Sequence, residues 1–140
     1  SYINDEKERI GNYAIALLDI DDFKCINDGF GHKVGDAALV SLSQILKSKL
    51  SPEDLAVRWG GEEFIVFMRD TDGEKAYEKI SGILERIREE KIKADDRLIS
   101  YTFTAGLASS DDISDCEKVI IEADSKLYIG KNSGKNRIIS

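Results

Sequence analysis

The sequence predicts a mixed α/β (α+β) domain in which helices lie on the faces of a sheet. Three observations carry that expectation. Tyr13 to Ile20 form an unbroken apolar run, three amphipathic helical patterns follow it at intervals, and two short strand-like runs between the first two helices are divided by glycines.

The first run, YAIALLDI, carries a single late carboxylate, which suits a strand buried on both faces and places it at the centre of the sheet. Asn27-Asp28-Gly29 and Gly31 then read as a turn. Leu39, Leu42, Ile45, Leu46 and Leu50 recur at helical steps, with Asp36 near the start of that helix and Pro52 behind its end. Leu55 to Trp59 and Phe64 to Met68 flank Gly60-Gly61-Glu62-Glu63, the pattern of a β-hairpin with an acidic tip. Ala76, Ile80, Ile83, Leu84 and Ile87 mark a second helix, and Ile99, Tyr101, Phe103 and Ala105 alternate like a half-exposed strand. Val119, Ile120, Ala123 and Leu127 give a third helix, and Arg137-Ile138-Ile139 a last edge strand. Propensity does not fix the strand order.

A chain of 140 residues with 41% apolar content closes one core, so residues 1–140 are read as a single domain. No segment reaches the ~20 apolar residues of a spanning helix, and Ser1-Tyr2-Ile3-Asn4-Asp5-Glu6 lacks the features of a signal peptide, so no membrane insertion is expected. A formal charge of −7 argues against nucleic-acid binding through many phosphate contacts. Cys25 and Cys116 belong to no Cys/His cluster, which favours reduced thiols in a cytoplasmic domain over a zinc site or a disulfide.

Carboxylates crowd two places. The first strand runs out through Asp19-Ile20-Asp21-Asp22, with Asp19 and Asp21 on one side and Ile20 on the other. Such a strand end suits a metal, while capping of a following helix by Asp21 or Asp22 explains two of the acids equally well. At the hairpin tip, Gly60 and Gly61 permit a close main-chain approach to a bulky phosphate with Glu62 and Glu63 facing it; a merely solvated turn is the alternative. Together the two acidic spots match Mg²⁺, which takes a few carboxylates and leaves its other positions to water and phosphate.

Four ordered blocks resemble the signature of GGDEF-domain diguanylate cyclases. They are Asp19-Ile20-Asp21-Asp22-Phe23-Lys24-Cys25-Ile26-Asn27-Asp28, Phe30-Gly31-His32-Lys33-Val34-Gly35-Asp36, Arg58-Trp59-Gly60-Gly61-Glu62-Glu63-Phe64 and Lys131-Asn132-Ser133-Gly134-Lys135-Asn136. The resemblance implies a fold like nucleotidyl cyclases and the polymerase palm, with a mostly antiparallel sheet flanked by helices. It implies condensation of two GTP into cyclic di-GMP and two pyrophosphates by a homodimer, with Mg²⁺ or Mn²⁺. Asp19, the carbonyl of Ile20 and Glu62 or Glu63 match the family's metal site, and Glu62 also matches the group that accepts the proton from the 3′-hydroxyl. Asn27 and Asp36 match the guanine-reading positions, with His32 near the substrate. A carboxylate accepting from guanine N1 and N2 rejects adenine, which lacks that donor pair. Lys24, Lys131 and Lys135, with Gly60 and Gly61, match the triphosphate contacts. Family members more often carry Arg at the position of Lys135, and lysine forgoes the bidentate fork.

Two departures bear on regulation. The Arg-x-x-Asp product-inhibition site reads Ser51-Pro52-Glu53-Asp54, so the arginine is lost and Asp54 retained. The family's DxLTGLxNR stretch and its helix are not visible ahead of Tyr13, which implies a fragment of a longer protein with a sensor or dimerisation region upstream, a parent open to membrane anchoring. His32 lacks a histidine or cysteine partner for zinc and is read first as a turn residue. Trp59 and Phe64 are read as packing residues rather than base-stacking platforms. The alternative function is a non-catalytic module that binds GTP or cyclic di-GMP and regulates a fused partner.

Overall fold

A computed structural model describes residues 11–111 and 115–140. Seven strands and four helices are present among them. The strands are β1 (Tyr13–Ile20), β2 (Leu55–Arg58), β3 (Glu63–Arg69), β4 (Ile92–Ala94), β5 (Arg97–Ile99), β6 (Phe103–Ser109) and β7 (Ile138–Ile139). The helices are α1 (Phe23–Phe30), α2 (His32–Lys49), α3 (Gly73–Glu89) and α4 (Cys116–Asn132). The main sheet runs β2-β3-β1-β6-β7, with β1 at its centre as its uninterrupted apolar run predicts. Every pairing in that sheet is antiparallel except β6 with β7, the short edge strand expected at the C-terminal end.

Alternation along β1 divides the core into two layers. Ala14, Ala16, Leu18 and Ile20 pack with Leu42 and Leu46 of α2 and Ile80, Ile83 and Ile87 of α3. Tyr13, Ile15 and Leu17 pack beneath Val119, Ala123 and Leu127 of α4. Each buried aliphatic side chain contributes about 1.5–3 kcal/mol, so the periodic positions of the helices are those that hold them to the sheet. Helix α4 sits very close because β6 carries Gly106, where a Cβ would lie 1.9 Å from the Ala123 carbonyl oxygen.

The structure corrects five expectations. Asn27-Asp28-Gly29 is no turn but part of α1, and His32 opens α2 instead of lying in a loop. The half-exposed strand is divided: Ile99 ends a separate β4–β5 hairpin, while β6 is buried along its whole length between the helical layers. Capping by Asp21 or Asp22 is not realised, since Asp22 precedes α1 with φ 54° and makes no side-chain cap bond. Trp59 is 66% exposed and does not pack, whereas Phe64 is buried as expected. Among the described residues no helix is long and apolar enough to cross a membrane, and neither cysteine is in a disulfide. The expectation about the segment ahead of Tyr13 falls largely on residues 1–10, outside the described residues.

Candidate active site at the end of the central strand

The β1–β3 register brings the two acidic spots together. Asp19 lies directly opposite Glu63, and the Ile20 N–H donates to the Glu62 carbonyl at 3.1 Å, so the hairpin tip is fastened to the end of β1. Antiparallel partners place their side chains on the same face, so the carboxylates of Asp19 and Glu63 share one side of the sheet. The bend itself is closed by Trp59 N–H to Glu63 carbonyl at 2.7 Å. Arg58 braces it further, donating from Nε to the Gly60 carbonyl at 3.1 Å and from Nη2 to the Gly61 carbonyl at 2.6 Å. The sequence reading gave Arg58 no role; the signal was a guanidinium placed just before a Gly-Gly bend, where main-chain carbonyls converge.

Asp19 is 4% exposed. Burial pushes its carboxyl above the usual range; a bond from Lys131 opposes this, and the charges of Glu62 and Glu63 add to the upward shift. Lys131, in the last turn of α4, donates to Asp19 Oδ2 at 2.5 Å, and Lys135 donates to Asp22 Oδ1 at 2.5 Å. The bond and the charge of Asp22 hold the Lys135 ammonium above its ordinary value. Two of the three lysines assigned from the resemblance therefore meet the acidic strand end, while Lys24 lies exposed on α1.

Asp21 departs from the pattern. Its carboxylate is 7% exposed and accepts from Thr102 Oγ1 and Thr104 Oγ1, each at 2.6 Å, and from the Asn136 N–H at 2.9 Å. A carboxylate so fully occupied serves the structure rather than a ligand.

The α1–α2 corner holds Asn27, His32 and Asp36. His32 and Asp36 are exposed, and Asn27 is half-buried against α2. Among the described residues Asn27 Oδ1 is a buried oxygen without a hydrogen-bond partner, lying where a Cβ on residue 35 would stand. An orphaned buried acceptor costs about 1–3 kcal/mol, a strain that an N–H donor on a ligand relieves.

Among the described residues no group of three or more His, Cys, Asp or Glu side chains is gathered as a metal cage. The donors present are nonetheless hard oxygens on adjacent strands, and the Asp19 carboxyl is raised first by burial and then by the charges of Glu62 and Glu63. They suit a cation that keeps much of its water and takes one or two protein carboxylates, as Mg²⁺ does.

The fold and this arrangement define a class: a palm-like α/β domain with an acidic glycine hairpin fastened to the end of its central strand. The family model "Diguanylate cyclase, GGDEF domain" matches residues 2–137. Diguanylate cyclase A of Treponema denticola is 36% identical over 137 residues, covering 97% of this chain and 37% of that protein. The active GGEEF domain of a diguanylate cyclase from Vibrio cholerae superposes with a TM-score of 0.88 at 30% identity, over 98% of this chain and 87% of that one. The GGDEF domain of DgcB from Caulobacter crescentus, solved in complex with c-di-GMP, gives 0.90 at 26% identity, over 98% and 82%. The chain belongs to the GGDEF diguanylate cyclase family. It spans little more than a third (37%) of the Treponema relative.

Proposed function

We propose that this domain condenses two GTP into cyclic di-GMP with release of two pyrophosphates, each of two facing copies holding one GTP across a two-fold axis. The observation that carries the reading is the pairing of Asp19 with Glu63 at the end of β1, beside Lys131 and Lys135. Asn27 and Asp36 read the guanine edge, the unpartnered Asn27 oxygen accepting from the base and the Asp36 carboxylate accepting from the N1 and N2 donors. Gly60 and Gly61 leave room for the phosphates, and Lys24, Lys131 and Lys135 neutralise them. His32 lies at the same corner, near the base.

Glu62 accepts the proton as the 3′-hydroxyl oxygen of one GTP attacks the α-phosphorus of the other. The bond from that phosphorus to the β-phosphate bridge breaks, pyrophosphate leaves, and a second attack with roles exchanged closes the ring. Asp19, the Ile20 carbonyl and Glu62 or Glu63 would hold Mg²⁺ or Mn²⁺, which supplies a lowered hydroxyl pKa and neutralisation of phosphate charge when bound. We place the domain in the cytoplasm, within a longer chain whose upstream region senses or dimerises. The relative's greater length supports the longer chain.

The test is chromatography of products after incubating a dimer-forced form with GTP and Mg²⁺ or Mn²⁺. Cyclic di-GMP should form and fall about 10²–10⁴-fold in Glu62→Gln. Asp19→Asn should also lose it. GTP binding with no product in the unsubstituted domain would overturn the enzyme in favour of a regulatory binding module.

A further inference from the structure

The segment Lys131–Asn136, which is the end of α4 and the loop that follows it, carries two of the three lysines assigned to the triphosphate, and its last residue is gripped from two sides. The Asn136 N–H donates to Asp21 Oδ2 at 2.9 Å and to Thr104 Oγ1 at 3.1 Å. From the other side, the guanidinium of Arg88, near the C-terminal end of α3, donates from Nε to Asn136 Oδ1 at 2.8 Å and from Nη2 to the Asn136 carbonyl at 3.1 Å. Both oxygens of one residue thus receive the fork of one arginine, a geometry lysine cannot reproduce.

The loop needs such a grip. Gly134, Lys135 and Asn136 have φ of 119°, 61° and 50°, three successive left-handed residues of which two bear side chains. Single left-handed residues other than glycine are uncommon and are maintained by surrounding contacts. That same twist sends the Lys135 ammonium to Asp22, while Lys131 reaches Asp19 from the last turn of α4. Asn is among the residues that best tolerate this conformation, and its carbonyl oxygen gives the arginine a second acceptor.

We propose that Arg88, with Asp21, is a positioning residue for triphosphate binding: it clamps Asn136 so that the loop presents Lys135 beside Lys131 at the end of β1. Arg88 touches neither the acidic site nor those lysines' partners, and it lies outside all four signature blocks. The proposal rests on the reading of those lysines as phosphate contacts.

Two measurements on the 140-residue chain separate the clamp from that reading. Hydrogen exchange in the ligand-free protein tests the clamp itself: Arg88→Met should accelerate exchange of the Asn136 amide, and Arg86→Met, which removes the neighbouring arginine that pairs with Glu90, should not. Unchanged exchange in Arg88→Met overturns the clamp. Calorimetric titration with Mg²⁺ and guanosine 5′-(α,β-methylene)triphosphate, whose α–β bridge cannot be cleaved, tests its purpose against GMP. Arg88→Met should weaken the triphosphate about tenfold, the equivalent of one charge-assisted hydrogen bond, and leave GMP unchanged. Arg88→Lys should recover only part of the loss. An equal loss for GMP, or none for the triphosphate, overturns the assignment. Failure of the unsubstituted chain to bind the triphosphate sinks the enzyme reading and the clamp's role in phosphate binding together, whatever the exchange result.

Discussion

The side-chain oxygen of Asn27 occupies the space that a Cβ on residue 35 would need, 1.9 Å from where that carbon would stand. Gly35 is therefore the condition for Asn27 to lie under α2 with its acceptor buried and unpartnered. Gly35→Ala should displace that carboxamide and raise KM for GTP about tenfold, the scale of a modest overpacking penalty. Discrimination against inosine triphosphate, which lacks the 2-amino donor, should narrow at the same time. Gly29→Ala, where an added Cβ meets nothing within 4 Å, serves as the control. Steady-state kinetics with both nucleotides check this, and an unchanged GTP preference would refute it.

Asp54, the retained half of the inhibitory motif, is not free to meet a ligand. Its side chain is 1% exposed and accepts from the Ser51 N–H at 2.9 Å, the Arg69 N–H at 3.2 Å and Lys79 Nζ at 2.9 Å. Asp54→Ala should cost about 1–3 kcal/mol of stability by leaving those donors short of an acceptor. It should leave the product dependence of the rate unchanged. Urea denaturation and product titration read the two effects separately, and relief of strong product inhibition would contradict the assignment.

Lys135 meets Asp22 through a single ammonium contact. Lys135→Arg supplies a planar fork suited to phosphate oxygens and should lower KM for GTP with little change in kcat. A rise in KM would indicate that the left-handed backbone at this position tolerates only the native reach.

Tyr101 is buried, and its hydroxyl donates to Ser41 Oγ at 2.7 Å. Burial is the dominant influence and pushes its pKa up to about 12, from an ordinary value of 10.0. Because the folded pKa lies above the unfolded one, the stability this creates is complete below pH ~10 and is lost as pH rises toward ~12. Urea midpoints measured across that window should fall, and Tyr101→Phe should flatten the fall. Equal slopes in both proteins would exclude Tyr101 as a source.

Legibility followed the nature of each signal. Tyr13 to Ile20 was readable because six apolar residues in a row, Tyr13 to Leu18, leave few options other than a doubly covered strand, and the hairpin was readable from its glycines. Helix α1 was missed because Asn27, Asp28 and Gly29 individually favour turns, while packing of Asn27 and Phe23 at Gly35 holds them helical. Strand β6 was misjudged because Thr104, Ala105, Gly106 and Ala108 are small and two are not strongly apolar. Their burial comes from how closely α4 approaches, a distance no local pattern encodes. At the site, the carboxylates and lysines were identified by residue type, but Asp21 was indistinguishable from Asp19 by alternation alone.

Local chemistry in the chain was enough to name the acidic strand end, the glycine bend and the lysines, because charge and backbone freedom belong to individual residues. Folding alone decided which carboxylate meets which partner: Asp19 faces Glu63, Asp21 disappears into Thr102, Thr104 and Asn136, and Asp54 is taken by Lys79. Those outcomes depend on strand register and helix approach, which are set by contacts between segments far apart in sequence and so are absent from any short stretch of it.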